Sequence, residues 1–552
     1  MRSFLTTLCL ALVGLLAGPA HAQNEVVVTA DIDQNTTWTA DNTYILNGLV
    51  FVQNGADLTI EPGTVIKGRA QENITSGDGA SALIIERGSR LLADGTPDAP
   101  IIFTSEFDDF GNLTHRDREL WGGVILLGRA STNQPTQDNA IEGIPESEGA
   151  LYGGTDDDDD SGVLRYVSIR HGGFSISGVE GDEINGLTMG GVGRGTTIEF
   201  VEVYANFDDC FEWFGGTVDA KYLVGAFCGD DTYDYDQGWR GRGQFWLSIH
   251  DDDVAGRGGE HDGGDAAGDD AEPLSRPVIS NVTYIGSGQT ATVPGGDNND
   301  HALAIRDAAG GFYFNSIFTD YPNVAINIED LDGDAVDSRT RLEEGDLGFF
   351  DNLFFGFGAG SSIAEIVDGT FADATIAATN AYADPQLGGI CRTPEACLDP
   401  RPAGSSPAAT GAQFTNGELG DWFDVVAYRG AFAPNGPVWA AGWTALDTEG
   451  FLSGPAVPNE AGASADSFGL GTVYPNPVRG TATVRFELDR PQAATVAVYD
   501  LLGREVAVLA SGAQPAGRTE VTLDAAALPA GLYVVRLVGE TAAATQKVVV
   551  VR

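Results

Sequence analysis

Lysine is almost missing from this chain: three residues among 552 (Lys67, Lys221 and Lys547), against 27 arginines and 80 acidic residues. The formal charge of −50 excludes nucleic acid and anionic lipid as natural partners, since both require a cationic surface. Long apolar runs are missing too. Past the first residues nothing approaches the roughly 20 apolar residues of a spanning helix, so no transmembrane segment is expected. Cysteine is scarce, five in all, which excludes a disulfide-built fold. No CxxC pair or Cys/His set points to zinc. There is no Walker loop, nucleotide fingerprint or serine-nucleophile elbow. Helical periodicity is nearly absent.

What is present begins with an export signal. Met1-Arg2 gives a positive start, Phe4 to Leu16 an apolar run, and Gly18-Pro19 a break before Ala20-His21-Ala22. This predicts a signal peptide over 1–22, cleaved before Gln23, and an exported mature chain. The charge is localised. Residues 472–552 hold 8 basic and 7 acidic residues, whereas 23–471 hold 21 basic and 73 acidic. An acidic surface with little Lys is what self-solvation in concentrated salt favours, because screening removes the self-repulsion; a halophile's protein is the expectation.

Short β-branched and aromatic runs separated by Gly, Asn and Asp turns predict an all-β fold. Examples are Leu58-Thr-Ile60, Ala82-Leu-Ile-Ile85 and Val124-Ile-Leu-Leu127. A repeat shows in the middle. Arg165-Tyr-Val-Ser-Ile-Arg170, Glu199-Phe-Val-Glu-Val-Tyr204 and Lys221-Tyr-Leu-Val-Gly-Ala226 align at intervals of 34 and 22 residues. Such a period, with whole turns recurring, is that of a β-solenoid. It predicts Val167 on Val201 on Leu223 inside, and an aromatic ladder of Tyr166, Phe200 and Tyr222. The parallel β-helix body is expected over 23–453. An irregular closing cap is expected from Arg401 through Trp439 and Trp443. A Pro/Ala/Gly/Ser linker follows at 454–471, then alternating strands over 472–552 that predict a small Ig-like β-sandwich. Cys391 and Cys397 could close a small loop; Cys210 and Cys228 either join neighbouring coils or stay as free buried thiols.

The recurring turn is the sharp site candidate. Asp208, Asp209 and Glu212 in one coil fall 22 residues before Asp230, Asp231 and Asp234, with Asp236 adjacent. Stacked coils lie about 4.8 Å apart, and carboxylates that close repel unless protonated or bridged by a cation. Three readings stay open: a solvated ridge, a Ca²⁺ site built of hard oxygen ligands, or catalytic carboxylates (Asp208, Asp209, Asp230 and Asp231). Trp213, Tyr235 and Trp239 flank the cluster and are the expected ligand-stacking residues, for a sugar above all. Lys221 and Arg240 are the nearby basic residues, expected to be ion-paired. Asp156 to Asp160 and Asp251-Asp-Asp253 read as solvated loops. Asp330-Leu-Asp-Gly-Asp334 imitates a calcium loop but has Arg341 in place of the bidentate Glu, so it is no EF-hand. Glu260-His261-Asp262 reads as part of a mobile insertion, and His171 as a turn residue.

Four C-terminal motifs occur in order: Tyr474-Pro475-Asn476-Pro477, Asp500-Leu-Leu-Gly503-Arg-Glu-Val506, Leu528-Pro-Ala-Gly531-Leu-Tyr533 and Lys547-Val-Val-Val-Val-Arg552. This segment resembles the C-terminal sorting domain of the type IX secretion system of Bacteroidetes-like bacteria. The resemblance implies the outer-membrane translocon as a partner, then removal of the domain and attachment or release at the outer cell surface. Trp38 to Ile45, Leu58 to Ile66, Trp121-Gly-Gly-Val-Ile125, Ile141-Glu-Gly-Ile-Pro145, Arg165 to Gly173, Glu212-Trp-Phe-Gly-Gly216 and Asp234 to Trp239 carry a second resemblance. They look like secreted bacterial proteins of uncharacterised function with right-handed parallel, pectate-lyase-like β-helices. Asn206-Phe-Asp-Asp-Cys210 resembles a polygalacturonase segment, but the Gly-His-Gly and Arg-Ile-Lys partners are missing. The preferred reading is therefore a non-enzymatic binder of an extracellular ligand such as carbohydrate, stiffened by Ca²⁺. A polysaccharide hydrolase or lyase, and a structural or adhesive surface component, are the alternatives.

Overall fold

The computed structural model describes residues 24–453, apart from 177–182, 255, 265–269, 293–300 and 332–335. It also describes 469–550, apart from 475–480, 489, 491, 501–503, 515–516, 526–527, 530 and 540–542. The expected signal peptide and residues 454–468 of the expected linker lie outside the described residues. The chain divides into two compact units, residues 1–459 and 460–552.

Short strands with sharp corners bury an apolar face only by winding on themselves, and the first unit does so. Ten strands stack in parallel as one sheet: Leu49–Val52, Ala82–Ile85, Val124–Leu127, Leu187–Gly190, Phe211–Phe214, Tyr233–Asp236, Gly259–Asp262, Leu303–Arg306, Ile326–Ile328 and Val367–Asp368. Eighteen further strands form a second parallel array. The body is a parallel β-helix. The sequence repeat is its register: Arg165 pairs with Glu199 and Glu199 with Lys221, while Val167, Val201 and Leu223 stack inside.

The long strands Gly162–Arg170, Thr197–Tyr204, Ala220–Ala226 and Arg242–Ile249 each bend once. The bends fall at Tyr166, Phe200, Tyr222 and Phe245, whose φ values run from 49 to 61°. One left-handed residue shifts the alternation, so Leu164 and Val167 both point into the core. The bend residues point outward and stack, with ring centroids 4.5, 4.3 and 5.1 Å apart. A left-handed non-glycine residue costs about 1–2 kcal/mol. Burial of the ladder under Trp439 and Trp443, edge-on at 5.4 and 5.6 Å, offsets that cost.

Those tryptophans correct one expectation. Residues 398–452 do not close an end of the coil; they run along its flank. Phe432, Trp439, Trp443 and Leu446 share a core with Tyr166, Phe200, Val224 and Ile285. Further along, Leu419 and Phe423 pack on Val278 and Phe312. The ladder is an outward apolar stripe, and covering it draws the segment to the side. The interior is instead filled at its last coil by Ile366, Ala372 and Ile376, near the short helices Ile363–Ile366 and Asp373–Ala377. Two disulfides form, Cys210–Cys228 and Cys391–Cys397; the first nearly spans one coil.

The second unit has a three-stranded antiparallel sheet (Gly469–Tyr474, Thr481–Leu488, Gly517–Asp524) and a four-stranded one (Glu505–Gln514, Gln492–Asp500, Gly531–Val538, Ala543–Val550). Val484, Phe486, Val496, Val498, Val535 and Val548 form a shared core. Tyr533 donates its hydroxyl to Pro529 O at 2.8 Å. Of the motif residues, Pro475, Asn476, Pro477 and Gly503 lie outside the described residues.

Candidate functional site

Three neighbouring strands of the ten-stranded sheet build the site. Phe211–Phe214 pairs with Tyr233–Asp236, matching Glu212 to Asp234; Tyr233–Asp236 pairs with Gly259–Asp262, matching Asp234 to Glu260. Side chains alternate along a strand, so Phe211, Trp213, Tyr233, Tyr235 and His261 go inward while Glu212, Asp234 and Glu260 form an outer row. The turns before these strands add Asp208, Asp209, Asp230 and Asp231. Asp209 Oδ1 accepts the Asp231 amide at 2.8 Å, which locks successive turns together. Asn206 Nδ2 donates to Asp209 O at 2.8 Å and fixes the turn beside the Cys210–Cys228 bridge.

All of these acids but the buried Asp231 line an open cleft of about 1240 Å³ that also takes in Glu142, Glu183, Asp236 and Asp262. Four triads have ligand oxygens within 4.8 Å of one another: Glu142–Glu183–Asp208, Asp208–Asp209–Asp230, Asp209–Glu212–Asp234 and Asp231–Asp234–Glu260. They overlap through Asp208, Asp209 and Asp234, so the carboxylates form one continuous string. Its far end is neutralised: Arg257 pairs with Asp231 at 3.1 Å and with Glu260, and Arg306 with Glu260 at 2.9 Å and Asp262 at 2.7 Å. Among the described residues, Asp208, Asp209, Glu212 and Asp234 have no such cation. Burial, reinforced by Asp230, holds the Asp208 carboxyl well above the usual range; burial and then Asp234 do the same for Asp209. Glu212 is raised by burial and Glu142, and Asp234 by burial and Glu260. Glu260 is pushed up to about 9, by burial first and Asp231 next. Asn185 Oδ1 and Asp234 Oδ1, on residues 2% and 9% exposed, are buried without a hydrogen-bond partner.

The structure brings the acidic residues together but corrects their surroundings. Trp213, Tyr235 and Trp239 are 0%, 2% and 0% exposed. Trp213 and Trp239 stack at 4.7 Å inside the coil, so none of the three can face a sugar. Asp231 is buried against Arg257, which removes it as a free catalytic acid. Arg240 pairs with Asp157 and Lys221 with Asp424. Asp251 is no solvated loop residue: it is fully buried and held by His115 at 3.1 Å and Arg116 at 3.0 Å. Glu260-His261-Asp262 is a strand of the sheet, not a mobile insertion. Asp330 is paired with Arg339, while 332–335 lie outside the described residues. His171 follows its strand at φ 58°, in the turn where it was expected.

Sequence reasoning missed Glu142, Glu183, Glu260, Asp262, Arg257 and Arg306. A signal for Glu260 and Asp262 existed. Gly259-Glu-His-Asp262 aligns with Tyr233-Asp-Tyr-Asp236, but at 26 residues instead of 22, four more than the repeat. Glu142 and Glu183 come from excursions between coils, where no period applies.

The pectate-lyase like beta helix domain matches residues 30–384 of this chain. The chain belongs to this family. A secretion system C-terminal sorting domain matches residues 472–551, and no curated protein matches the chain. This pectate-lyase-like β-helix protein is thus marked for the type IX machinery, with export and attachment at, or secretion from, the outer cell surface. No described helix is long and apolar enough to cross a membrane.

Proposed function

We propose that the exported β-helix is a non-enzymatic binding module whose acidic cleft takes up Ca²⁺ and, through it, an extracellular ligand such as carbohydrate. The observation that carries this reading is the string of overlapping carboxylate triads, in which Asp208, Asp209, Glu212 and Asp234 form no ion pair with a described Arg or Lys. Like charges within 4.8 Å of one another are relieved by protons or by a divalent ion. Carboxylates and an amide carbonyl are the hard oxygen donors that Ca²⁺ prefers. The unpartnered Asn185 Oδ1 and Asp234 Oδ1 support a bound cation, since buried polar atoms are nearly always satisfied. The remaining surface acid suits a salt-rich medium, and we read the two-sheet second unit as an Ig-like sandwich.

Melting of chelated protein, then with Ca²⁺ added in matched salt, tests the reading. A rise of several degrees is expected, since binding to the folded state alone at a hundredfold excess over Kd stabilises by about 2.7 kcal/mol. A glycan screen with wild type and Asp209→Asn is expected to show Ca²⁺-dependent binding in the wild type only. An unchanged melting temperature sinks the calcium assignment.

One observation favours a second reading, a polysaccharide hydrolase. Burial and neighbouring carboxylates hold the Asp208 and Asp209 carboxyls well above the usual range, the direction a general acid requires. Release of new reducing ends, lost in Asp208→Asn, would establish that reading over the first.

A further inference from the structure

Two of the chain's own arginines show how a guanidinium seats among the carboxylates of the acidic cleft. Their places follow from the register. The Asp209 carboxylate accepts the amide of Asp231 at 2.8 Å, and the Asp231 carboxylate accepts the amide of Arg257 one coil on. Asp209, Asp231 and Arg257 thus form one column, each three residues before its counterpart in the column Glu212, Asp234 and Glu260. Arg257 ends the first column and turns its guanidinium to Asp231 at 3.1 Å and to Glu260. Arg306, paired in register with Asp262, does the same on the strand: it reaches Asp262 at 2.7 Å and Glu260 at 2.9 Å. Each guanidinium bridges carboxylates of neighbouring coils.

One coil earlier the carboxylates repeat and the arginine does not. Asp209, Glu212 and Asp234 stand to one another as Asp231, Asp234 and Glu260 do, and both sets have oxygens within 4.8 Å. The place that Arg257 takes beside the later set is held, beside the earlier one, by Asp231. Among the described residues, no Arg or Lys forms an ion pair with Asp209, Glu212 or Asp234. Two acceptors here are buried without a donor: Asp234 Oδ1 and Asn185 Oδ1, the latter at the head of the turn column, two residues before the Leu187 that pairs with Phe211. Both residues line the cleft, as does the exposed ring of Phe207. Buried acceptors require donors. A guanidinium carries five N–H groups in a rigid planar fork and stacks on aromatic faces.

We propose that the cleft docks a cationic peptide segment of a partner protein, seating one of its arginine side chains on Asp209, Glu212, Asp234 and Asn185 Oδ1, with Phe207 against the guanidinium plane. The inference goes beyond the calcium reading and needs no metal; guanidinium and Ca²⁺ are alternative occupants of the same oxygens. Lysine is the poorer match, because a point charge cannot bridge two coils with a planar fork. The cleft, at about 1240 Å³, is far larger than one guanidinium and leaves room for the backbone that carries it. A body with 21 basic against 73 acidic residues over 23–471 also draws a cationic segment in and speeds encounter.

Calorimetric titration of the full chain in chelator and about 0.15 M NaCl, physiological ionic strength, tests this. The probes are a blocked Gly-Arg-Gly-Arg-Gly peptide and its counterparts with lysine or citrulline in both arginine places. The arginine peptide is expected to bind and the neutral citrulline peptide not to. The lysine peptide is expected to bind about tenfold more weakly, a loss the size of one charge-assisted hydrogen bond. Glu212→Gln removes the charge but keeps the shape and the acceptor for Asn185 Nδ2, so the fold stays; it is expected to weaken binding about tenfold. Phe207→Ala, at an exposed ring, is expected to weaken it about threefold. Glu72→Gln, which removes one surface acid in the turn Gln71–Asn73, is expected to change nothing. No binding of the arginine peptide, equal binding of the lysine or citrulline peptide, or indifference to Glu212→Gln overturns the proposal. Because the titration runs in chelator, its failure leaves a Ca²⁺-induced rise in melting temperature standing, and a missing rise leaves the titration standing.

Discussion

The inner and outer faces of the strands Phe211–Phe214 and Tyr233–Asp236 are opposite environments one residue apart. Inward, Trp213 lies 4.7 Å from Trp239 and 5.4 Å from Trp246, with Tyr233 4.7 Å from Trp246: a dry aromatic stack. Outward, Glu212 and Asp234 crowd against like charges. The difference teaches that adjacency in a strand is separation in space. A tryptophan beside a carboxylate in sequence faces away from it, and the two contribute to stability with opposite signs.

The comparison can be broken from either side. Trp213→Ala empties the stack and is expected to cost about 3–5 kcal/mol in denaturant unfolding, while the residual fold still responds to Ca²⁺. Asp234→Asn on the outer face should do the reverse. In chelator it relieves a buried charge and is expected to gain about 1–3 kcal/mol, and it should shrink the Ca²⁺-induced rise in melting temperature.

pH sharpens the contrast, because the outer face carries the raised carboxyls, whereas burial holds the inward His261 down at about 3. Glu260 is raised from its ordinary 4.5 to about 9, so the folded state holds its proton more tightly than the unfolded one. That stabilisation is complete below about 4.5 and is lost as pH climbs towards about 9. Melting temperature in chelator is therefore expected to fall by several degrees over that span, with a shallower slope in Ca²⁺ and in Glu260→Gln. The smallest effect belongs to the inner face. Tyr235→Phe removes one hydroxyl that donates to Gly310 O at 2.7 Å and should cost about 0.5–1.5 kcal/mol, with no change in the pH slope.

Much of the body was legible because a solenoid writes its register into the chain. The 22-residue step from Asp208 to Asp230 and from Phe200 to Tyr222 is one coil, and the stacked pairs follow directly. What was misread followed from applying that period without the shorter one. Trp213 and Tyr235 were grouped with the acids although a strand's period of two sends them inward. The flank position of Trp439 and Trp443 was hidden because it depends on a contact between residues more than 200 apart. Arg257 and Arg306 were overlooked for a related reason. Arg306 reaches Glu260 and Asp262 only through the strand pairing, and Arg257, three residues before Glu260, lies in the stretch that reads as a mobile insertion.

The flank segment has a mechanical consequence. Buried Glu202 accepts the amides of Ala445 and Leu446 at 2.6 and 3.0 Å across a separation of 243 and 244 residues, a contact that cannot form until the coils between have stacked. Tension applied past Leu452 therefore loads this clasp and the ring stack behind it in shear, not the terminal coil. The protein carries its tow point on its side, where a pull does not peel the winding open.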